Sequence, residues 1–117
     1  MGFLTTHVLD TARGIAAAGV RLQLYRDRND VLDLIAEAVT NDDGRCDQPI
    51  LSENDFTPGI YELHFEIGDY YRRTGIALDA PAFIDRVPIR FGIADADDHY
   101  HVPLLVSPYG YSTYRGS

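Results

Sequence analysis

Hydrophobic and polar residues alternate in several short runs of this chain, the pattern of strands with one buried face. Val20, Leu22 and Leu24 fall opposite Arg21, Gln23 and Tyr25, and Tyr61, Leu63, Phe65 and Ile67 fall opposite Glu62, His64 and Glu66. Val87, Ile89, Phe91 and Ile93 make a third such face. Pro88 lies within it, and because proline has no amide to donate, this strand is expected at a sheet edge or at a strand start. Leu4 to Leu9 is predicted as a further strand. Tyr100 to Val106 is apolar on both sides, with Tyr100, Val102, Leu104 and Val106 opposed to His101, Pro103 and Leu105. A strand covered on both faces points to an interface between subunits.

Two segments break this rhythm. Val31, Leu34, Ile35, Ala38 and Val39 fit the stripe of a helix as well as a strand, and taken alone the spacing favours the helix. Asp69, following Gly68, is placed to cap a short helix through Tyr70, Tyr71, Arg72 and Arg73, with Gly75 closing it. Elsewhere Gly, Pro, Asn and Asp punctuate the runs, and no repeat, linker or low-complexity tract interrupts them. The chain reads as one all-β domain over residues 1–117.

Composition narrows the function. A hydrophobic fraction of 45% with 24% charged residues is that of a folding chain, not a disordered one. The net charge of -8 supplies no basic face for nucleic acid. All ten basic residues are arginine, so lysine Schiff-base chemistry is absent and any permanent cation is a planar guanidinium. A lone Cys46 makes neither an intramolecular disulfide nor a cysteine metal cluster and suits a reducing compartment. The first residues lack a secretory pattern and no apolar run approaches a membrane span, so a soluble cytoplasmic protein is expected.

Candidate chemistry gathers at four places. His99 and His101 stand two apart on one strand and project the same way, a pair able to transfer protons or, with His7 as a third ligand, to hold zinc. Spacing demands no metal. Asn41-Asp42-Asp43-Gly44-Arg45 is a turn by composition, and Arg45 is either a solvated loop residue or a cation aimed at a site. His64, flanked by Glu62 and Glu66, reads as a surface residue. The tail carries Tyr109, Tyr111 and Tyr114 up to Arg115-Gly116-Ser117, which implies order where termini commonly fray, as a structural edge strand or as part of a site.

Four segments taken together, Leu4-Thr5-Thr6-His7-Val8-Leu9-Asp10, Asp43-Gly44-Arg45, His99-Tyr100-His101-Val102-Pro103-Leu104-Leu105 and Ser107-Pro108-Tyr109-Gly110-Tyr111-Ser112-Thr113-Tyr114-Arg115-Gly116-Ser117, resemble the signatures of the transthyretin-related family of 5-hydroxyisourate hydrolases. The resemblance implies a transthyretin-like (prealbumin-like) β-sandwich of two four-stranded sheets with one short helix, assembled as a homotetramer around a central channel. It replaces the helix at Val31 to Val39 by a strand. It implies His7, Arg45, His101 and Ser117 as catalytic residues, with Tyr114 and His99 as secondary substrate contacts, Arg115 completing the motif, and neither metal nor cofactor.

The implied reaction opens the ring amide of 5-hydroxyisourate in urate degradation. A neutral imidazole suits the activation of water near neutral pH, which favours His101 with His7 as its partner, and Arg45 suits the oxyanion. Ser117 has no Gly-x-Ser-x-Gly elbow around it and is expected to hold water or substrate, not to attack. A transthyretin-type carrier is the main alternative. A metal-dependent hydrolase using His7, His99 and His101, and a purely structural sandwich, stand behind it.

Overall fold

A computed structural model describes residues 1–117. Its strands, in chain order, are β1 (Phe3–Asp10), β2 (Ile15–Ala16), β3 (Arg21–Arg28), β4 (Val31–Val39), β5 (Leu51–Ser52), β6 (Gly59–Glu66), β7 (Arg86–Ile93), β8 (His99–Ser107) and β9 (Gly110–Thr113); a helix, α1 (Ile67–Arg73), follows β6. One sheet has the order β2-β1-β8-β9, with β5 also pairing on β1, and the other has the order β4-β3-β6-β7. The resemblance implied four strands in each sheet. The extra one is the two-residue β5, which shares the same edge of β1 as β2. No helix is long and apolar enough to cross a membrane.

The alternating runs supply the core. Leu4 and Val8 of β1, Leu22 and Leu24 of β3, Tyr61, Leu63 and Phe65 of β6, Val87 and Ile89 of β7, and Tyr100, Val102, Leu104 and Val106 of β8 meet in one buried cluster between the sheets. Each fully buried aliphatic side chain contributes roughly 1.5–3 kcal/mol against exposure. Pro88 lies in β7, the edge strand of its sheet, where a missing amide costs no ladder bond.

Val31 to Val39 is a strand, not the helix that periodicity favoured. The register against β3 shifts between Leu24 and Tyr25: Ala36 faces Leu24 but Leu34 faces Tyr25, so Ile35 is the extra residue of a bulge. That bulge sets Leu34 and Ile35 side by side out of the two-residue period, which imitates helical spacing. The short helix is present but begins earlier than expected. Asp69 is not its cap; it lies in the first turn and pairs with Arg72 at 3.3 Å. Gly75 does close the helix, at φ +88, with Gly75 N–H donating to the Arg72 carbonyl and Ile76 N–H to that of Tyr71, the crossed pair of a left-handed helix end.

The helix is pinned to the sandwich by one carboxylate. Asp10, at the inner end of β1 and 1% exposed, accepts from Arg13 Nε at 2.9 Å, Tyr70 OH at 2.8 Å and Tyr71 OH at 2.9 Å. Burial pushes its pKa up, but the donors of Arg13, Tyr70 and Tyr71 outweigh it and hold the carboxyl below its ordinary value.

Candidate active site

β1 and β8 are parallel neighbours in a register that sets Phe3 beside His99, Thr5 beside His101 and His7 beside Pro103. Because successive side chains alternate, the inner residues of both strands go to the core and these six stand on the outer face of the sheet. The histidines sequence spacing placed on one face are joined there by a residue it did not single out. Thr5 Oγ1 lies 2.7 Å from His99 Nε2 and 2.8 Å from His101 Nδ1. Phe3 stacks on the His99 ring with centroids 4.1 Å apart.

The turn at Asn41 delivers Arg45 to the same place. The Asn41 side-chain carbonyl accepts from the amides of Asp43 and Arg45, at 2.9 and 3.2 Å. Gly44, at φ +75, offers its carbonyl to Val8 N–H at 2.8 Å, and a Cβ at this position would run into the Val8 carbonyl oxygen. Only glycine allows both the left-handed backbone and this close approach. The turn is thereby docked on the free edge of β1. Eight of the ten arginines have a carboxylate, hydroxyl or carbonyl partner. Arg21 and Arg45 have none, and Arg45 alone of this pair lines the cavity beside the histidines.

The tail closes the third side. β9 pairs with β8, and the chain then turns back so that Gly116 N–H donates to the His101 carbonyl at 2.8 Å. Arg115 leans over the Tyr100 ring, its guanidinium carbon 4.1 Å from the centroid, and reaches the His99 carbonyl at 3.4 Å. A Cβ on Gly116 would sit 2.5 Å from His101 Cδ2, so the absent side chain lets the tail lie on the imidazole.

The result is an open cavity of about 210 Å³ lined by Thr5, Thr6, Arg45, Cys46, Gln48, His99, His101 and Ser117. Of the residues singled out in the sequence, Arg45, His99, His101 and Ser117 therefore converge. His7 does not line the cavity, although it stands on the same outer face, one alternation beyond Thr5. Tyr114 borders a separate groove of about 390 Å³ with Arg115, Thr113 and residues of β7. Thr5, Thr6 and Gln48 are the lining residues that sequence reasoning passed over, and Cys46, read there only as a lone thiol, lines the cavity as well. For Thr5 the signal was present, as the polar residue two before His7 in an alternating run.

Electrostatics sets the protonation. Burial, and then the neighbouring His99, Arg45 and His7, depress the His101 pKa below its ordinary value, so this imidazole is neutral at neutral pH. Burial and the adjacent Asp47 push the Cys46 thiol up, which leaves it protonated and a poor nucleophile. No group of three or more His, Cys, Asp or Glu side chains is arranged to hold a metal ion, and His7, His99 and His101 do not form one. His64 is not the free surface residue its acidic neighbours suggested: its side chain is largely covered, bonds Glu62 at 2.9 Å and packs on Tyr25.

Fold and site define a class: a two-sheet β-sandwich with a neutral imidazole and an unpaired guanidinium in one cavity on an outer sheet face. Residues 4–116 match the sequence model of the HIUase/Transthyretin family. The chain belongs to that family. A Pseudomonas aeruginosa protein named 5-hydroxyisourate hydrolase is 62% identical over 117 residues, which cover 100% of this chain and 93% of the relative. Among solved structures, one titled (S)-allantoin synthase superposes with a TM-score of 0.93 at 50% identity; 99% of this chain is covered, but only 44% of that longer one. A sea bream transthyretin solved with thyroxine superposes at 0.86 with 26% identity, covering 97% of this chain and 93% of its own.

Proposed function

We propose that this chain hydrolyses 5-hydroxyisourate to 2-oxo-4-hydroxy-4-carboxy-5-ureidoimidazoline, a step of urate degradation, and does so in the cytoplasm as a homotetramer. The observation that carries the reading is the pairing, in one cavity, of His101 held neutral and Arg45 held without a counter-ion. A neutral imidazole accepts a proton from water as the water attacks the ring carbonyl. The guanidinium is free to give paired hydrogen bonds to the oxygen on which charge develops, a geometry lysine does not reproduce.

His7 is the partner of His101 on the same outer face of the sheet, and the Ser117 hydroxyl positions water or substrate. His99 contributes through its link to Thr5. Tyr114 is assigned no contact inside its own protomer, since it borders another groove. The tetramer is supported by the exposed aromatics Tyr109, Tyr111 and Tyr114 along the β9 edge and its tail.

A carrier in the manner of the thyroxine-bound relative is the alternative, and backbone superposition alone does not separate the two, because the transthyretin superposes closely as well, although at 26% identity against 62% for the relative named a hydrolase. The lining does, since a cavity with an unpaired guanidinium and two imidazoles suits a polar substrate. The test is the ultraviolet decay of freshly made 5-hydroxyisourate. Acceleration by the wild-type protein, lost in His101→Ala, supports the hydrolase; a wild-type protein that leaves the spontaneous decay unchanged refutes it.

A further inference from the structure

Thr5 joins the two histidines, and hydrogen counting makes that contact informative. A threonine hydroxyl carries one proton, so with an imidazole nitrogen on each side it accepts from one and donates to the other. Two arrangements satisfy this. In the first, His101 Nδ1–H donates to Thr5 Oγ1 and Thr5 O–H donates to His99 Nε2, which leaves the His101 Nε2 lone pair free. In the second, both bonds are reversed and His101 Nε2 carries the proton.

We propose that Thr5 is a positioning residue whose hydroxyl selects the base-ready tautomer of His101 and then relays its proton to His99. The inference rests on the hydrolase reading given above. When water gives a proton to His101 Nε2, the water O–H bond breaks and an Nε2–H bond forms. The Nδ1 proton then passes to Thr5 Oγ1 as the Thr5 proton passes to His99 Nε2. The hydroxyl is left with one proton, His101 is neutral with its proton now on Nε2, and the positive charge rests on His99. That Nε2–H protonates the departing ring nitrogen as His99 gives a proton back through Thr5 to His101 Nδ1, so one imidazole serves as base and then as acid without retaining the charge and without becoming an imidazolate. This return restores the first arrangement.

The surroundings favour this direction. His101 is partly buried and faces Arg45 from the turn, His7 from β1 and His99 from its own strand, all of which oppose a cation there. His99 is exposed at the sheet margin, stacked on Phe3, with the Asp98 carboxylate near by in sequence and paired to Arg115. Charge moved to His99 reaches water.

The relay is tested on Thr5→Val, which keeps the β-branched shape of a strand residue but has no hydroxyl, and on Thr5→Ser, which restores it. In the resting protein, imidazole 15N spectra are expected to show His101 protonated at Nδ1 in wild type and Thr5→Ser, and to show that preference lost in Thr5→Val. In turnover, kcat is expected to fall roughly tenfold to a hundredfold in Thr5→Val, the scale of an acid-base contribution, with KM unchanged and with Thr5→Ser recovering most of the loss. His99→Gln, which cannot take up the charge, is expected to lower kcat without altering KM. An unchanged His101 tautomer in Thr5→Val, or a kcat equal to wild type in that variant or in His99→Gln, overturns the relay. The spectra need no substrate, so they judge Thr5 even if the wild-type protein fails to act on 5-hydroxyisourate.

Discussion

Strand β1 carries a polar cluster at each end, and the two are built on opposite plans. At Asp10 the carboxylate is buried and three side-chain donors, from Arg13, Tyr70 and Tyr71, meet its oxygens. At Thr5 the cluster opens on solvent, with a hydroxyl between two imidazoles and an arginine opposite that has no partner at all. The first spends its bonding capacity on the fold, since a buried carboxylate left short of donors is costly. The second keeps donors and a lone pair in reserve, which is what a reacting molecule requires. On one strand, completeness of hydrogen bonding separates what holds the sandwich together from what acts on a substrate.

The strongest way to break this contrast is to remove the reserve. His101→Ala and Arg45→Ala are each expected to lower kcat/KM for 5-hydroxyisourate by roughly a hundredfold or more while the thermal midpoint stays near wild type. A variant that unfolds early but turns over normally per folded molecule would reassign its residue to the fold.

Asp10→Ala is expected to do the reverse. It removes the shared acceptor of two tyrosine hydroxyls and a guanidinium, leaving Tyr71 only the Val106 carbonyl and Arg13 only the Tyr70 hydroxyl, and urea unfolding at neutral pH should record a loss of roughly 2–4 kcal/mol with activity per folded molecule retained. The sign with pH follows from its depressed pKa. The carboxylate stabilises the fold above the unfolded value of about 3.9, and that contribution is lost as pH falls through the lower folded value. Unfolding measured across that acidic window should therefore be less steep in pH for Asp10→Asn than for wild type.

Gly116→Ala tests the boundary between the two plans. The added methyl meets the His101 ring, and kcat is expected to fall about tenfold through displacement of that ring, with a stability change of about 1 kcal/mol, as for modest overpacking. The smallest effect is on titration. The His101 midpoint, followed by NMR, should lie below the ~6.5 of a free imidazole and should rise in Arg45→Gln, because a cation that opposed protonation has gone. A midpoint that stays put on removing Arg45 would show that the guanidinium lies too far from the ring to act with it.

How much of this was legible in the chain depended on whether a feature was local. The alternation of β3, β6 and β7 is a two-residue period that survives in any window, so those strands and the edge position of Pro88 could be read directly. Val31 to Val39 was misleading because a bulge displaces Ile35, and a bulge is a property of two strands that neither announces alone. His99 and His101 share a face by simple spacing. That Thr5 lies between their nitrogens depends on the register of a parallel pair separated by nearly the whole chain, which alternation does not encode. Local pattern showed Arg45 only as an arginine after a turn, and the family resemblance alone implied a role for it; that it has no partner is known only once the other guanidiniums have found theirs.

The bond from Val8 N–H to the Gly44 carbonyl has a consequence for how this site could be watched. The turn covers the backbone edge of β1 between its two short partner strands, and the same docking sets the reach of Arg45. Hydrogen exchange at that single amide is then a clock for the opening of the site: each time the turn lifts, a strand edge is bared to water and the guanidinium leaves its place in the same motion.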